Sequence, residues 1–424
     1  MRCPSTSCRA AWPSWTSAPP NCGGCTFRSP ISSRLRNWPS GRRSGTAKAT
    51  AWSGCRSWPL RLRIYTTLSS FARDVRKTVV IGDRLVERQV KVGVLGAGYW
   101  GPKLIRNFHE IPSADMAMVC DLRQDRLAHV RELYPAVRVT TDYQELLRSD
   151  VEAVAIATPI PTHHRLAREA LLAGKHVLVE KPLTANSEEA EDLVNLAEKR
   201  GLSLMVGHTF EYNPAVEYLR RIIAAGELGR IYYINATRVN LGIFQPDINV
   251  VWDLAPHDVS ILLFILGMLP VNVSARGAAY VRPKIHDVAY LTLHFPNEIM
   301  ADIRVSWLDP CKIRRITVVG SKKMVVYDDV EPTEKIKIYD KGVDVPPYSD
   351  TLEEFHLSYR YGDITTPAIP NVEPLRVECE HFLHCVRTGE RPRSDGRDGL
   401  EVVRILEAAT RSLLNGGMRE RVRL

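Results

Sequence analysis

Apolar residues come in short bursts from residue 90 onward, and the rhythm of those bursts changes once, near residue 211. Val90 to Leu95 reads as a short apolar strand running into Gly96-Ala97-Gly98, and a helix fits Tyr99 to Glu110. Strands then follow at Met116 to Cys120, Val137 to Val139, Ala153 to Ala157, His176 to Val179 and Leu202 to Val206. Helices fit the segments between them: Gln124 to Leu133, Tyr143 to Arg148, His163 to Ala173 and Ser187 to Lys199. Strands alternating with amphipathic helices predict a parallel sheet with right-handed crossovers.

Beyond residue 211 the alternation stops. Helices are expected at Pro214 to Ala225 and Leu254 to Leu266, with a strand at Ile231 to Val239. Val288 to Phe295 and Ile299 to Leu308 flank Pro296-Asn297, and Ile313 to Val319 and Met324 to Tyr327 flank Gly320-Ser321. Both pairs read as hairpins, so this half should carry an antiparallel sheet. Two late helices, Pro374 to Val386 and Leu400 to Leu414, close the chain, the second ending at Gly416-Gly417. The fold class is therefore α/β, with domains expected at 89–211 and 212–424, ample length for two cores.

Residues 1–88 do not fit this scheme. They hold 16 Lys and Arg against 3 Asp and Glu, and there is no acid before Asp74, whereas residues 89–424 hold 41 basic against 45 acidic residues. The chain's net charge of +9 thus belongs to its first segment, and the remainder gives no electrostatic reason to expect nucleic acid or an anionic membrane as partner. Five of the eight Trp and five of the nine Cys also fall before residue 89, without a period of 2 or 3.6. An organelle transit peptide, a metal site at Cys22 and Cys25, and a mis-assigned or out-of-frame start compete as readings; the third is favoured, and the segment is expected to be disordered to about residue 85. A lone Cys pair lacks the second pair that zinc requires, so no metal is expected. The four scattered later cysteines read as reduced thiols, and no apolar run is long enough to span a bilayer, which points to the cytoplasm.

Gly96-Ala97-Gly98-Tyr99-Trp100-Gly101 fits G-x-G-x-x-G between a strand and a helix, the setting that makes the motif informative. Gly96 would turn tightly, Gly98 would let backbone approach a pyrophosphate, and the helix N-terminus would supply free N–H groups. Asp121 ends the second strand 25 residues after Gly96, near the separation expected for the acid that binds the adenosine ribose. An acid there favours NAD over NADP, although Arg123 stands close by; alternatively, Asp121 is a helix cap.

Two further stretches, Ala157-Thr-Pro-Ile-Pro-Thr-His163 and Ala170-Leu-Leu-Ala-Gly-Lys-His-Val-Leu-Val-Glu-Lys-Pro182, resemble the Gfo/Idh/MocA oxidoreductases in the order and spacing of their motifs. The resemblance covers residues 89–424 and implies a Rossmann domain followed by an α+β domain with a large open, mainly antiparallel sheet. It implies that Lys181 is the catalytic lysine at the mouth of a Rossmann strand. In Trp252-Asp-Leu-Ala-Pro-His-Asp258 it implies that His257 is the proton acceptor, assisted by Asp253. Their i, i+4 spacing puts Asp253 and His257 on one side of a first helical turn, with Pro256 tolerated if the helix is only beginning there. A base titrating near neutrality would suit alcohol oxidation.

Tyr99, Trp100, Thr158, Pro159, His163, Glu180 and Lys181 match positions that line the cofactor, Thr158 and Pro159 reading equally well as a strand-end turn; Lys181 and His257 would also hold the substrate. Arg238, Asn240 and Asn213 are candidate substrate contacts, with an exposed strand charge and a turn former as the competing readings. The glycine-rich helix and the ending Cys379-Glu-His-Phe-Leu-His-Cys385 most resemble the branch acting at the 3-hydroxyl of UDP-linked N-acetyl sugars or their uronic acids; Lys103 stands where that branch often has Asn. Oxidation of a free polyol such as an inositol, and a non-catalytic NAD-sensing regulator, are the alternatives. An open sheet face is expected to make a homodimer or homotetramer.

Overall fold

The computed structural model describes residues 78–81, 84–245, 247–344 and 358–423. The expectations for residues 1–77, the Cys22–Cys25 pair among them, lie outside the described residues. The end of the stretch expected to lack order does pair: Thr78–Ile81 (β1) runs antiparallel to Arg84–Glu87 (β2). Both segments are locally rich in Val, Leu and Ile, a β-forming signal that averaging over 88 residues hides.

Six strands follow: β3 (Val90–Leu95), β4 (Ala114–Cys120), β5 (Arg138–Thr140), β6 (Ala153–Ile156), β7 (His176–Val179) and β8 (Leu204–Val206). They form one parallel sheet in the order β5-β4-β3-β6-β7-β8. Helices α1 (Gly101–Glu110), α2 (Gln124–Leu133), α3 (Tyr143–Arg148), α4 (His163–Leu172) and α5 (Ser187–Arg200) connect them. Because both faces are covered, β6 is apolar at every position and fully buried. The strand order reverses between β3 and β6, and the loops leaving the carboxyl ends there form the crevice where such sheets bind ligands.

The second half adds α6 (Pro214–Ala224), β9 (Ile231–Val239), α7 (Val250–Leu266), β10 (Asn272–Ala278), β11 (Val288–His294), β12 (Met300–Ser306), β13 (Ile313–Gly320), β14 (Met324–Asp328), β15 (Ile336–Asp344), β16 (Ser358–Thr365), α8 (Pro374–Thr388), α9 (Gly396–Leu414) and β17 (Glu420–Arg421). The strands make one nine-stranded sheet, ordered β16-β15-β14-β13-β9-β12-β11-β10-β17. Every neighbour pair is antiparallel except β9 with β12. Both expected hairpins are present.

Two differences from expectation bear on the site and on the division into halves. Helix α7 starts at Val250, four residues early, because the Asn249 side chain accepts from the amides of Val251 and Trp252 and caps it. Pro256 consequently lies inside the helix, and Asp253 and His257 project from its first and second turns. The expected division at residue 211 also does not contain the last helices. Leu375, Cys379, Phe382 and Leu383 of α8 pack into one core with Val92, Ile105 and Phe108 of the first half. Helix α9 divides its faces: Leu400 and Val403 join the core of the parallel sheet, while Ile405, Leu406 and Ala409 join that of the nine-stranded sheet. The chain ends by tying its two sheets together through shared helices.

Candidate active site

The glycine-rich turn is shaped by contacts that admit no side chain. Gly96 has φ +96°, and a Cβ on it would stand 2.6 Å from the Ala157 carbonyl oxygen; one on Gly101 would stand 2.0 Å from the Gly96 carbonyl oxygen. Helix α1 therefore starts hard against the turn, with its free amides over the loop. Gly98 is lined by Arg126, whose Nη1 would lie 3.4 Å from an added Cβ. Such a cradle fits a dinucleotide pyrophosphate: open backbone, a helix N-terminus and an adjacent cation.

Asp121 is buried at the end of β4 and faces the loop itself. Its carboxylate accepts from the Ala97 amide at 2.7 Å, the Arg123 amide at 2.8 Å and Arg126 at 3.2 Å. Both oxygens have protein partners, and through the Ala97 amide the carboxylate ties the end of β4 to the glycine turn. Arg123 is exposed and bonded to Asp125 at 3.0 Å. Tyr99 is 73% exposed, its ring edge-on to Trp100 at 6.0 Å, and the Lys103 ammonium sits 4.2 Å and 3.8 Å from their ring centres.

Thr158 and Pro159 leave the end of β6, where the Thr158 and Thr162 hydroxyls meet at 2.7 Å. His163 does not face the crevice. It is buried, with Nδ1 at 3.0 Å from the Pro182 carbonyl and Nε2 at 2.8 Å from that of Thr158, so it clamps the loops after β6 and β7 to each other. Glu180 stands at the end of β7, beside Gly207; burial pushes its carboxyl up to about 7, with Lys181 and Lys103 pulling the other way.

Lys181 reaches across to the second half. Its Nζ donates to the Asp253 backbone carbonyl at 2.7 Å and lies 3.5 Å from Asp253 Oδ1. Asp253 Oδ2 accepts from the buried Trp307 indole at 2.9 Å. Trp307 also lies beneath Gly242 beside Asn240, which keeps Asn240 near the same site. His257, one turn after Asp253, packs edge-on against Phe210 at 5.2 Å between ring centres. Its Nδ1 is shut from solvent without a partner, which leaves Nε2 as the nitrogen open to the crevice.

The expectation of a base titrating near neutrality is corrected here. Burial first, then the charges of Lys181, Arg238 and Arg314, hold the His257 imidazole well below its ordinary value, so it is neutral and able to accept a proton. Arg238 and Asn213 are both engaged with protein groups. Arg238 makes a bidentate ion pair with Asp258, at 2.7 and 3.1 Å, its guanidinium 4.5 Å from the Phe210 ring centre. The exposed strand charge is thus a buried one, placed inward by the alternation of β9. Asn213 caps α6 through the Ala215 amide and donates to the Tyr327 hydroxyl at 3.2 Å.

Sequence reasoning missed His208. It follows Gly207 just past β8, is 1% exposed, and has no partner for either ring nitrogen. The signal was available: it lies at the carboxyl end of a parallel strand, where such sheets place functional side chains. Burial first, then the charge of Lys181, pushes this imidazole down to about 3. An unfolded histidine titrates near 6.5, so the stability His208 contributes is complete above that pH and is lost as pH falls toward the folded value. Relative to H208Q, the wild-type chain is expected to lose roughly 2 kcal/mol between pH 7 and pH 5 in urea denaturation. Parallel pH dependences of the two proteins would contradict this.

Among the described residues there is no cluster of three or more His, Cys, Asp or Glu able to hold a metal, and no helix long and apolar enough to cross a membrane. A family model described as the oxidoreductase family's NAD-binding Rossmann fold matches residues 90–208, and the GFO/IDH/MocA C-terminal domain matches residues 216–326. The chain is 31% identical over 334 residues to the UDP-N-acetylglucosamine 3-dehydrogenase of Acidithiobacillus ferrooxidans, covering 74% of this chain and 94% of that protein. It is 27% identical to the NAD-dependent scyllo-inositol 2-dehydrogenase of Bacillus subtilis, over 78% of this chain and 96% of the relative. A solved structure of the Acidithiobacillus enzyme superposes with a TM-score of 0.65 at 28% identity, covering 78% of this chain and 99% of its own. The glycine cradle, the Lys181 loop and the second, mainly antiparallel sheet are therefore those of a known lineage, and the chain belongs to the GFO/IDH/MocA family of NAD-binding oxidoreductases.

Proposed function

We propose that this chain oxidises a secondary hydroxyl of a sugar, C3 of a UDP-linked N-acetyl sugar or its uronic acid, using NAD. The observation that carries the reading is the convergence of Lys181, Asp253 and His257 from the two halves of the chain on one crevice. Bound NAD supplies the hydride acceptor, and the protein binds, orients and handles the proton. The Lys181 ammonium, held by the Asp253 carbonyl, stabilises negative charge growing on the substrate oxygen. Nε2 of neutral His257 takes the hydroxyl proton. Two electrons and one proton leave the carbinol carbon as hydride, the second proton goes to His257, and a ketone remains.

The test is NADH formation against UDP-N-acetylglucosamine, its uronic acid, scyllo-inositol and myo-inositol. Reduction by the nucleotide sugars supports the proposal. Turnover of the inositols alone transfers the site to the polyol reading, which the Bacillus relative favours by similarity. Bound NAD without turnover of any of the four would make the chain a sensor, and overturn the enzyme reading.

The partner proposed is a second copy. Tyr233, Tyr290 and Met300 stand exposed on adjacent strands of the nine-stranded sheet, with Met300 in register with Tyr233. An uncovered aromatic sheet face of this kind fits a homodimer or homotetramer, which light scattering distinguishes from a monomer.

A further inference from the structure

The end of the nine-stranded sheet that serves the site holds one more cation, Arg314, which the mechanism does not use. Trp307, whose indole fixes Asp253, directly follows β12, and Val305 just before it lies in register with Arg238 of β9. On its other side Arg238 is in register with Arg314 of β13. Residues directly opposite on antiparallel neighbours project from one face of the sheet. Arg314 therefore stands beside Arg238, on the face where the Arg238 guanidinium meets Phe210 and Phe210 meets His257. The charge of Arg314 acts on His257 accordingly.

The two arginines differ in what they hold. Arg238 is 5% exposed and commits Nε and Nη2 to Asp258, whereas Arg314 is 37% exposed and reaches Asp329 through Nη1 alone, at 3.3 Å. Among the described residues Nε and Nη2 of Arg314 have no partner. Asp329 is itself fastened. Its amide donates to the Arg314 carbonyl at 2.9 Å, and its Oδ1 accepts from the Tyr327 hydroxyl at 3.0 Å and lies 3.5 Å from Asn213 Nδ2. The Asn213 amide in turn donates to the Phe210 carbonyl at 3.1 Å, so the guanidinium is tied to the turn that packs Phe210 on His257. A second cation, Lys335, donates to the Asp329 carbonyl at 3.0 Å.

We propose that Arg314 is a specificity-determining residue that binds an anionic group of the nucleotide-sugar substrate, the carboxylate of a uronic acid or a phosphate. The inference rests on the nucleotide-sugar reading and deepens it, since a free inositol carries no anion for this arginine to hold. Nε and Nη2 form one edge of the planar guanidinium, and their parallel N–H groups match the paired oxygens of a carboxylate or phosphate. The contact lies away from the reacting carbon. It therefore acts on binding in the ground and transition states alike, and belongs in KM rather than kcat.

The experiment compares the full chain with R314Q and R314K, measuring kcat and KM for UDP-N-acetylglucosamine and its uronic acid, and the affinity for UDP by titration calorimetry with NAD present. R314Q is expected to raise the KM of the substrate whose anion it holds on the order of 30-fold with kcat little changed, the scale of a charge-assisted contact. R314K keeps the charge without the planar fork and should fall in between. A rise confined to the uronic acid, with UDP affinity unchanged, identifies the carboxylate. A rise for both sugars with a matching loss of UDP affinity identifies the phosphates. A rise for both with UDP affinity unchanged marks a distorted pocket and overturns the proposal, as does a fall in kcat alone, which a merely structural arginine would give. KM values within about twofold of wild type overturn it too. Should R314Q fail to fold, R314K decides by the same criteria. Wild-type protein that turns over neither nucleotide sugar overturns the nucleotide-sugar reading and this inference together, whereas nucleotide-sugar turnover that R314Q leaves unchanged overturns this inference alone.

Discussion

Replacing Lys181 by methionine is expected to lower kcat by about 10³-fold while leaving the affinity for NAD within a few-fold of wild type. Methionine keeps the length and apolar volume of the side chain, so the loop after β7 retains its packing. What is removed is the cation that links that loop to the Asp253 carbonyl and that the proposed mechanism sets against the developing oxyanion. The glycine turn at Gly96 to Gly101 leaves β3 rather than β7, and its shape depends on the Ala157 and Gly96 carbonyls rather than on Lys181. Isothermal titration with NAD and steady-state kinetics with the active sugar separate the two effects. A variant with unchanged kcat would sink the mechanism, and one that no longer binds NAD would move Lys181 from catalysis to cofactor binding.

This partition reflects how the chain is built. The dinucleotide end is written in contiguous sequence, and its strand, glycine turn and helix were legible because period and spacing are local signals. Strands β3 and β7 and helices α2 and α3 have the bounds their periodicity predicts. The hydroxyl end is assembled from three distant places, Lys181 after β7, Asp253 and His257 on α7, and Trp307 after β12, and only family resemblance joined the first two. Nothing local announces that Trp307 will hold Asp253. Strands β10, β15 and β16 went unforeseen because polar residues, Gly277 and Gly342 interrupt their alternation, and they are held by sheet neighbours instead. Three residues expected to touch ligand, His163, Asn213 and Arg238, turned out to satisfy buried protein groups, a choice made by tertiary packing that spacing does not encode.

Arg238 gives the sharpest test of that distinction. Asp258→Asn keeps the size of the side chain but leaves the guanidinium, 5% exposed, without its counter-charge. Removing one partner of a buried ion pair costs about 3–5 kcal/mol, since the survivor stays desolvated. At the size of this chain that corresponds to a fall in Tm of roughly 5 °C. The double variant R238M/D258L removes both charges and is expected to recover most of the loss, because two apolar groups of similar volume carry no desolvation penalty. The recovered protein then separates the two readings of Arg238. If the arginine serves the core, R238M/D258L should turn over the active sugar with KM near wild type, any loss being confined to the Phe210–His257 contact that the guanidinium backs. If it holds substrate, stability will return while KM rises by about tenfold or more, the cost of a lost charge-assisted hydrogen bond. The bidentate geometry, with Asp258 only 2% exposed, favours the first outcome, and a stable double variant with a raised KM would return Arg238 to the substrate site.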